Sequence, residues 1–217
     1  MILYDYILSP DCYKVRLLAS LVGAPLELRA VDFHPGGEHR SAPFLRINPA
    51  GTIPVLQDSD LILTESASIL TYVAAAHGPD WLGDDTPIMR GRVAQWLAFG
   101  HRLSASIGKA RTHDMLQKPA DIDACRKSGI AALRELEAAL IEAHLRGDAF
   151  LAGHRPTLAD IACFPHAMLA PDGGISTDPY PAIRLWTRSL RALPRFIEMP
   201  GIHRLHELKP EPTGSGQ

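Results

Sequence analysis

The stretch Asn48-Pro49-Ala50-Gly51-Thr52-Ile53-Pro54-Val55-Leu56, followed by Thr64-Glu65-Ser66-Ala67-Ser68-Ile69-Leu70, holds the residues best placed to do chemistry in this chain. An apolar run that begins on a proline is unusual for a central strand, because proline has no N–H to give to a ladder. Pro54 suits a tight turn, with a cis peptide as one form of it. A turn there leaves the N–H and C=O of Ile53 facing a site. Glu65 and Ser66 follow after one short hairpin and open a helix, whose N-terminus attracts anions. A backbone rung beside such a helix start, with a carboxylate next to it, suits an extended peptide that carries both an ammonium and a carboxylate.

Composition narrows the classes. The 217 residues fit one large domain or two small ones, and 46% apolar with 21% charged residues allows an ordinary core. A net charge of −2 and no basic run interleaved with aromatics argue against nucleic-acid binding. The opening Met1-Ile2-Leu3-Tyr4-Asp5-Tyr6 lacks the positive n-region of a signal peptide, and no apolar stretch is long enough to span a bilayer. Cys12, Cys125 and Cys163 are too few and too scattered for a disulfide framework, which points to a reducing cytoplasm. His203-x-x-His206 has a spacing able to bind metal on a helix, but without a carboxylate or cysteine partner it reads as chance, and no metal is expected.

The elements that must position these residues can be read from periodicity. Ile2 to Ile7 and Leu26 to Val31 read as strands, and Cys12 to Val22 as a helix stopped by Gly23. His34 to Ser41 reads as an exposed loop. Val55 to Gln57 and Leu61 to Thr64 form a hairpin, and Ser66 to His77 a helix. A parallel pair joined to an antiparallel hairpin gives a mixed four-stranded sheet. Beyond Gly78 to Thr86 no convincing strand remains. Thr86-Pro87 starts a helix with Val93, Trp96, Gly100, Leu103 and Ile107 on one stripe. Ile130, Leu133, Leu136, Leu140 and Ile141 mark a second stripe. Thr157-Leu158-Ala159-Asp160 is a capping-box-like start to a third helix, reaching about Leu169, and Tyr180 to Arg191 is a fourth. The expected division is 1–77 α/β, 78–86 linker, 87–208 all-helical and 209–217 flexible tail.

With these pieces in order, the whole chain resembles the glutathione S-transferase family, a thioredoxin-like domain followed by a helical bundle. The resemblance rests on Ser9-Pro10-Asp11-Cys12-Tyr13-Lys14-Val15-Arg16, on Asn48 to Leu56, on Glu65-Ser66, and on Leu151-Ala152-Gly153-His154-Arg155-Pro156-Thr157-Leu158-Ala159-Asp160. The first of these and the Gly37-Glu38-His39-Arg40-Ser41 loop look most like the serine-dependent, theta-like bacterial members. The resemblance implies glutathione as co-substrate, a small electrophile as partner, a homodimer and a detoxifying role. It implies that Ile53, ahead of Pro54, pairs with the cysteinyl backbone of glutathione like an added rung. Glu65 would meet the ammonium, Ser66 the γ-glutamyl carboxylate, and His39 or Arg40 the glycine carboxylate. Thr52 departs from the Gln or Lys that many members carry there.

Two groups compete for the thiol chemistry. A serine hydroxyl is too weak an acid to be a base, but Ser9 can donate a hydrogen bond to the sulfur anion and so favour it. Lowering a thiol from about 8.5 by two units takes roughly 2.7 kcal/mol. One charge-assisted hydrogen bond, about 1.5–3 kcal/mol, plus a helix-dipole contribution of about 0.3–1 kcal/mol, is enough. Cys12 at a helix start is the rival, as a thiolate for disulfide or peroxide reduction, or else a buried apolar residue. Pro10-Asp11 replaces the commoner Gly-Asn, and Asp11 would set a negative charge against the thiolate. Tyr4, Tyr6 and Tyr13 do not match the spacing of tyrosine-dependent classes and read as packing residues. Phe99, Leu103, Arg111 and His113 are candidates for the acceptor pocket by position. A non-catalytic scaffold on the same fold is the third reading.

Overall fold

The computed structural model describes residues 1–199. Four strands, β1 (Ile2–Asp5), β2 (Glu27–Ala30), β3 (Val55–Asp58) and β4 (Leu61–Thr64), form one sheet in the order β2-β1-β3-β4. β1 runs parallel to β2, with Leu3 opposite Leu28, and antiparallel to β3, with Leu3 opposite Leu56. The mixed sheet expected from the element order is the one observed.

Alternation along the strands divides the core between the two faces of the sheet. Leu3 and Leu56 point to one face, where α1 (Pro10–Val22) and α3 (Ser66–His77) bring Leu17, Leu18, Ile69, Leu70 and Val73. Tyr4 and Val55 point to the other and meet Val31 and Phe44. Phe44 belongs to α2 (Ala42–Ile47), an element absent from the sequence reading. Its start was marked by Ser41, whose hydroxyl accepts the Phe44 N–H, and by Pro43 in the first turn. α1 ends as expected, with Gly23 at φ 70° in the left-handed region that glycine enters freely.

The second half is helical: α4 (Pro87–Leu103), α5 (Lys109–Leu116), α6 (Ile122–Leu145), α7 (Leu158–Met168) and α8 (Pro181–Arg191). The stripe Val93 to Ile107 is buried, but not on one continuous helix. A π-helical turn over Ser104–Gly108 separates α4 from α5 and redirects the chain. In the α6 stripe Leu133, Leu136 and Leu140 are buried, whereas Ile141 is exposed, one position outside the buried arc. α7 is buried over almost its full length and packs against both α4 and α1. α4 crosses it at Gly100, where a Cβ would sit 2.7 Å from the Ala162 carbonyl oxygen.

Asp160 does more than complete the Thr157 capping box. Its carboxylate accepts the backbone N–H of Thr157 at 2.9 Å and of Leu151 at 3.0 Å, and the Trp186 indole Nε1–H at 2.8 Å. One buried side chain thus ties α7 to the preceding loop and to α8. His203, His206 and the segment after Leu208 lie outside the described residues.

Candidate functional site

Where the sheet domain meets α4 and α5, a cavity of about 750 Å³ opens between Ser9, Ile53 and His39 on one side and Ser104, Lys109 and Arg111 on the other. A smaller cavity of about 230 Å³ adjoins it, lined by Pro54, Glu65, Ser66 and Lys14. Asp11, Thr52, Ile53, His101 and Ser104 belong to both walls, so the two form one cleft.

Local structure at three points shapes this cleft. The β1–β3 ladder ends at the Tyr4–Val55 pair, which leaves Ile53 just past the last rung, with the Ile53–Pro54 peptide cis. α3 is preceded by Glu65 at its cap position, whose backbone lies at φ 68°, ψ 120° and whose side chain makes no bond to the first turn. A non-glycine residue in that region stores of order 1–3 kcal/mol of strain, a pattern that clusters at binding sites. The first-turn N–H groups of α3 therefore face the smaller cavity without a side-chain cap, carrying the partial positive charge of the helix. The Ser66 hydroxyl itself donates to Asp11 at 3.3 Å, so the backbone rather than the side chain of Ser66 is the free donor.

The start of α1 is built the other way. Ser9 caps it, and its Oγ accepts the Cys12 N–H at 3.2 Å. With that lone pair engaged, the Ser9 O–H proton is available to a group in the main cavity, whose wall it forms. Cys12 is fully buried and on neither cavity wall; its Sγ lies 4.0 Å from the Tyr4 carbonyl oxygen. Burial, and then the charge of Asp5, push its thiol up to about 12. The helix start that was expected to acidify Cys12 is overcome by desolvation, and the residue packs as a small apolar side chain.

Asp11 has partners that the sequence reading did not count. Burial alone would raise its carboxyl, but Lys14 at 2.6 Å and His166 at 3.5 Å hold it well below the usual range. It also accepts hydrogen bonds from Ser66 and, at 2.9 Å, from Ser104. Its carboxylate thus joins α1, α3, α7 and the π turn, with Lys14 as its counter-ion. His166 stays below its ordinary value through burial and the nearby Lys14.

The loop 34–41 is not simply exposed. Glu38–Arg40 forms a 3-10 turn that buries His39, stacks its ring on Phe33 at 4.1 Å and leaves its Nδ1 without a partner. Burial, then Lys118 and Arg40, lower its pKa, so His39 is a neutral donor or acceptor and the positive charge at this corner comes from Arg40 and Lys118. Tyr4 and Tyr13 are buried packing residues, but Tyr6 lines the cavity.

Of the acceptor candidates, Phe99 and Leu103 face inward from α4 into the core and reach neither cavity wall. Arg111 does line the cavity. Its Nη1 donates to the Leu8 carbonyl at 2.8 Å and its Nε to Asp172 at 3.0 Å, which fastens α5 to the loop after β1 and to the turn after α7. His113 lies off the cavity, with Nδ1 2.9 Å from the Lys118 carbonyl oxygen. Phe33, His101, Ser104, Lys109, Lys118 and His166 complete the wall and were not singled out from the sequence. Among the described residues no cluster of His, Cys, Asp and Glu is able to hold a metal, and no helix is long and apolar enough to cross a membrane.

A thioredoxin-like sheet domain set against a helical bundle, with a peptide-sized cleft at the junction, defines the class of protein. Comparison with known proteins agrees. Residues 3–81 match the family profile described as Glutathione S-transferase, N-terminal domain, and residues 126–194 that described as Glutathione S-transferase, C-terminal domain. Human Glutathione S-transferase theta-1 is 31% identical over 88% of this chain and 82% of its own length. A crystal structure of a glutathione S-transferase from Pseudomonas fluorescens superposes with a TM-score of 0.82 at 30% identity, covering 92% of this chain and 98% of that one. Probable elongation factor 1-gamma 2 of Arabidopsis thaliana is 31% identical over 74% of this chain, which spans only 38% of that longer protein. The chain belongs to the glutathione S-transferase family.

Proposed function

We propose that this protein is a serine-type glutathione transferase. The γ-glutamyl end of glutathione lies in the smaller cavity, its carboxylate on the uncapped N–H groups of α3 and its ammonium against Glu65. The cysteinyl backbone extends the sheet edge at Ile53, ahead of Pro54. The glycine carboxylate reaches the corner made by His39 and Arg40. The sulfur then lies beside Ser9, whose hydroxyl donates to it and favours the thiolate over the thiol. The thiol proton leaves to solvent. The sulfur lone pair attacks the electrophilic carbon of a molecule in the main cavity, a C–S bond forms, and the leaving group departs with its electron pair. Binding supplies orientation as well as the ionisation shift.

The observation that carries this reading is the placement of Ser9, Ile53 and the open start of α3 on one continuous cleft. A homodimer, a cytoplasmic setting, a detoxifying role and a division of the chain at 78–86 accompany it as expectations of the family. Conjugation of glutathione to a neutral aryl halide tests the assignment. Ser9→Ala should lose about 100-fold in kcat/KM, the scale of one transition-state donor, while Cys12→Ala should keep most of its activity. The reverse pattern would transfer the chemistry to Cys12. A wild-type protein not retained on immobilised glutathione would leave only the scaffold.

A further inference from the structure

The main cavity is charged in one direction. Arg40, Lys109, Arg111 and Lys118 stand on its wall, and the one carboxylate there, Asp11, is already held by Lys14. Arg111 is paired with Asp172, yet its Nη2 is buried with no hydrogen-bond partner. Arg40, Lys109 and Lys118 make no ion pair among the described residues. The glycine carboxylate of glutathione brings one negative charge and, on the reading above, meets the His39–Arg40 corner. Lys109 and Lys118 are left over.

These two lysines occupy a particular place. With Ala105 and Thr112 they line both the main cavity and a side pocket of about 480 Å³ that opens toward the start of α6. The carboxylate of that side pocket, Asp121, is engaged as the cap of α6, accepting the Ala124 N–H at 3.1 Å. Lys118 is held in position: its backbone oxygen meets His113, and its Nζ lies 3.8 Å above the Phe33 ring. Its pKa is lowered by burial and by Arg40, as expected where cations crowd without a counter-ion. Leu8, Leu45, Met115 and Leu116 supply apolar wall next to them.

We propose that the electrophile accepted by this site has an apolar body and an oxyanion, the oxyanion seated between Lys109 and Lys118 where the main cavity meets its side pocket. This rests on the glutathione reading and adds the charge of the second substrate to it. Unpaired cations at the mouth of a partly desolvated cleft raise both capture and orientation of an anionic molecule, and salt weakens the effect.

Matched benzyl chlorides test it: para-(chloromethyl)benzoate, its methyl ester, and para-(chloromethyl)benzenesulfonate. In each the glutathione sulfur forms a C–S bond at the benzylic carbon while the C–Cl bond breaks and chloride leaves with the pair. The kcat/KM values, each divided by the rate with free glutathione, should favour the benzoate over the ester by roughly tenfold, the effect of one well-placed charge pair. That preference should shrink as salt is raised, and should vanish or invert in Lys109→Glu. A sulfonate preference of the same size supports the proposal and widens it beyond carboxylates; a preference for the benzoate alone supports it and names the oxyanion. Equal rates for benzoate and ester in the wild-type protein, or a preference indifferent to salt, would overturn it while the glutathione reading stands. If no probe is conjugated and the protein is not retained on immobilised glutathione, the glutathione reading fails and the proposal falls with it.

Discussion

The two walls of the cleft are built on different principles. On the sheet side, the groups offered to the cleft belong to the backbone: the rung at Ile53 and the open helix start after Glu65. Their side chains can vary widely without moving the donors. On the helical side those groups are side chains, Ser104, Lys109, Arg111 and Lys118, carried by a π turn, a short helix and the loop after it. A backbone receptor fixes one partner, and a side-chain wall can change its partner with a few substitutions.

Between the walls, Ser9 and Cys12 lie three residues apart and have opposite environments. Ser9 meets the cavity, whereas Cys12 is sealed behind it. The helix start polarises both positions, but only at the first does no desolvation penalty stand against a nearby anion.

The largest expected effect lies in the scaffold of the helical wall. Asp160→Ala leaves three buried donors, on Leu151, Thr157 and Trp186, without an acceptor. At about 1–3 kcal/mol for each such donor, incompletely additive, the loss in urea unfolding should be about 3–5 kcal/mol. A loss confined to about 0.5–2 kcal/mol, the range for a helix cap alone, would mean that the ties to the loop and α8 contribute little.

Asp11 joins the two walls through Ser66 and Ser104, and its effect should depend on pH. Its folded-state pKa lies below the ordinary 3.8, so the folded state binds this proton less readily than the unfolded chain. Its contribution to stability is therefore full above 3.8 and is lost as pH falls through that value toward the folded-state pKa. Thermal unfolding of wild type and Asp11→Asn should differ by a constant amount near neutrality, with the gap closing on acidification. A gap that widened in acid would contradict the pairing with Lys14 and His166.

The smallest effect should be seen on Cys12. With its thiol pushed up to about 12 and no exposure, it should resist iodoacetamide in the folded protein at neutral pH, while half-buried Cys125 reacts. Mass spectrometry of the alkylated chain distinguishes the two, and rapid alkylation of Cys12 would return it to contention as a thiolate.

How far the sequence could be read follows the same division. The features found in advance are local: the Pro54 turn, the start of α3, the Gly23 stop and the Thr157 cap each leave their signature within a few residues. Of the helical wall only Arg111 could be named, by its position, because Ser104, Lys118 and His166 come together only when α4, α5 and α7 fold around α1. A helical stripe could foresee that Val93 and Ile107 are buried, but not that the helix changes winding at Ser104, just ahead of Lys109. His39 was misjudged because glycine and proline neighbours suggest exposure, whereas stacking on Phe33 depends on a contact with the strand-end loop. For Asp11 the counter-ion was within reach of the sequence: Lys14 stands one helical turn away on the same face.

Spectrophotometric titration of the thiol of bound glutathione, followed by the ultraviolet absorbance of the thiolate, tests the central claim most directly. The account predicts a thiol pKa about two units below the ordinary value of about 8.5 in the wild-type complex, and a return toward that value in Ser9→Ala that still binds glutathione. A bound thiol that titrates at its solution value, or an acidified thiol that is indifferent to the loss of the Ser9 hydroxyl, would contradict it.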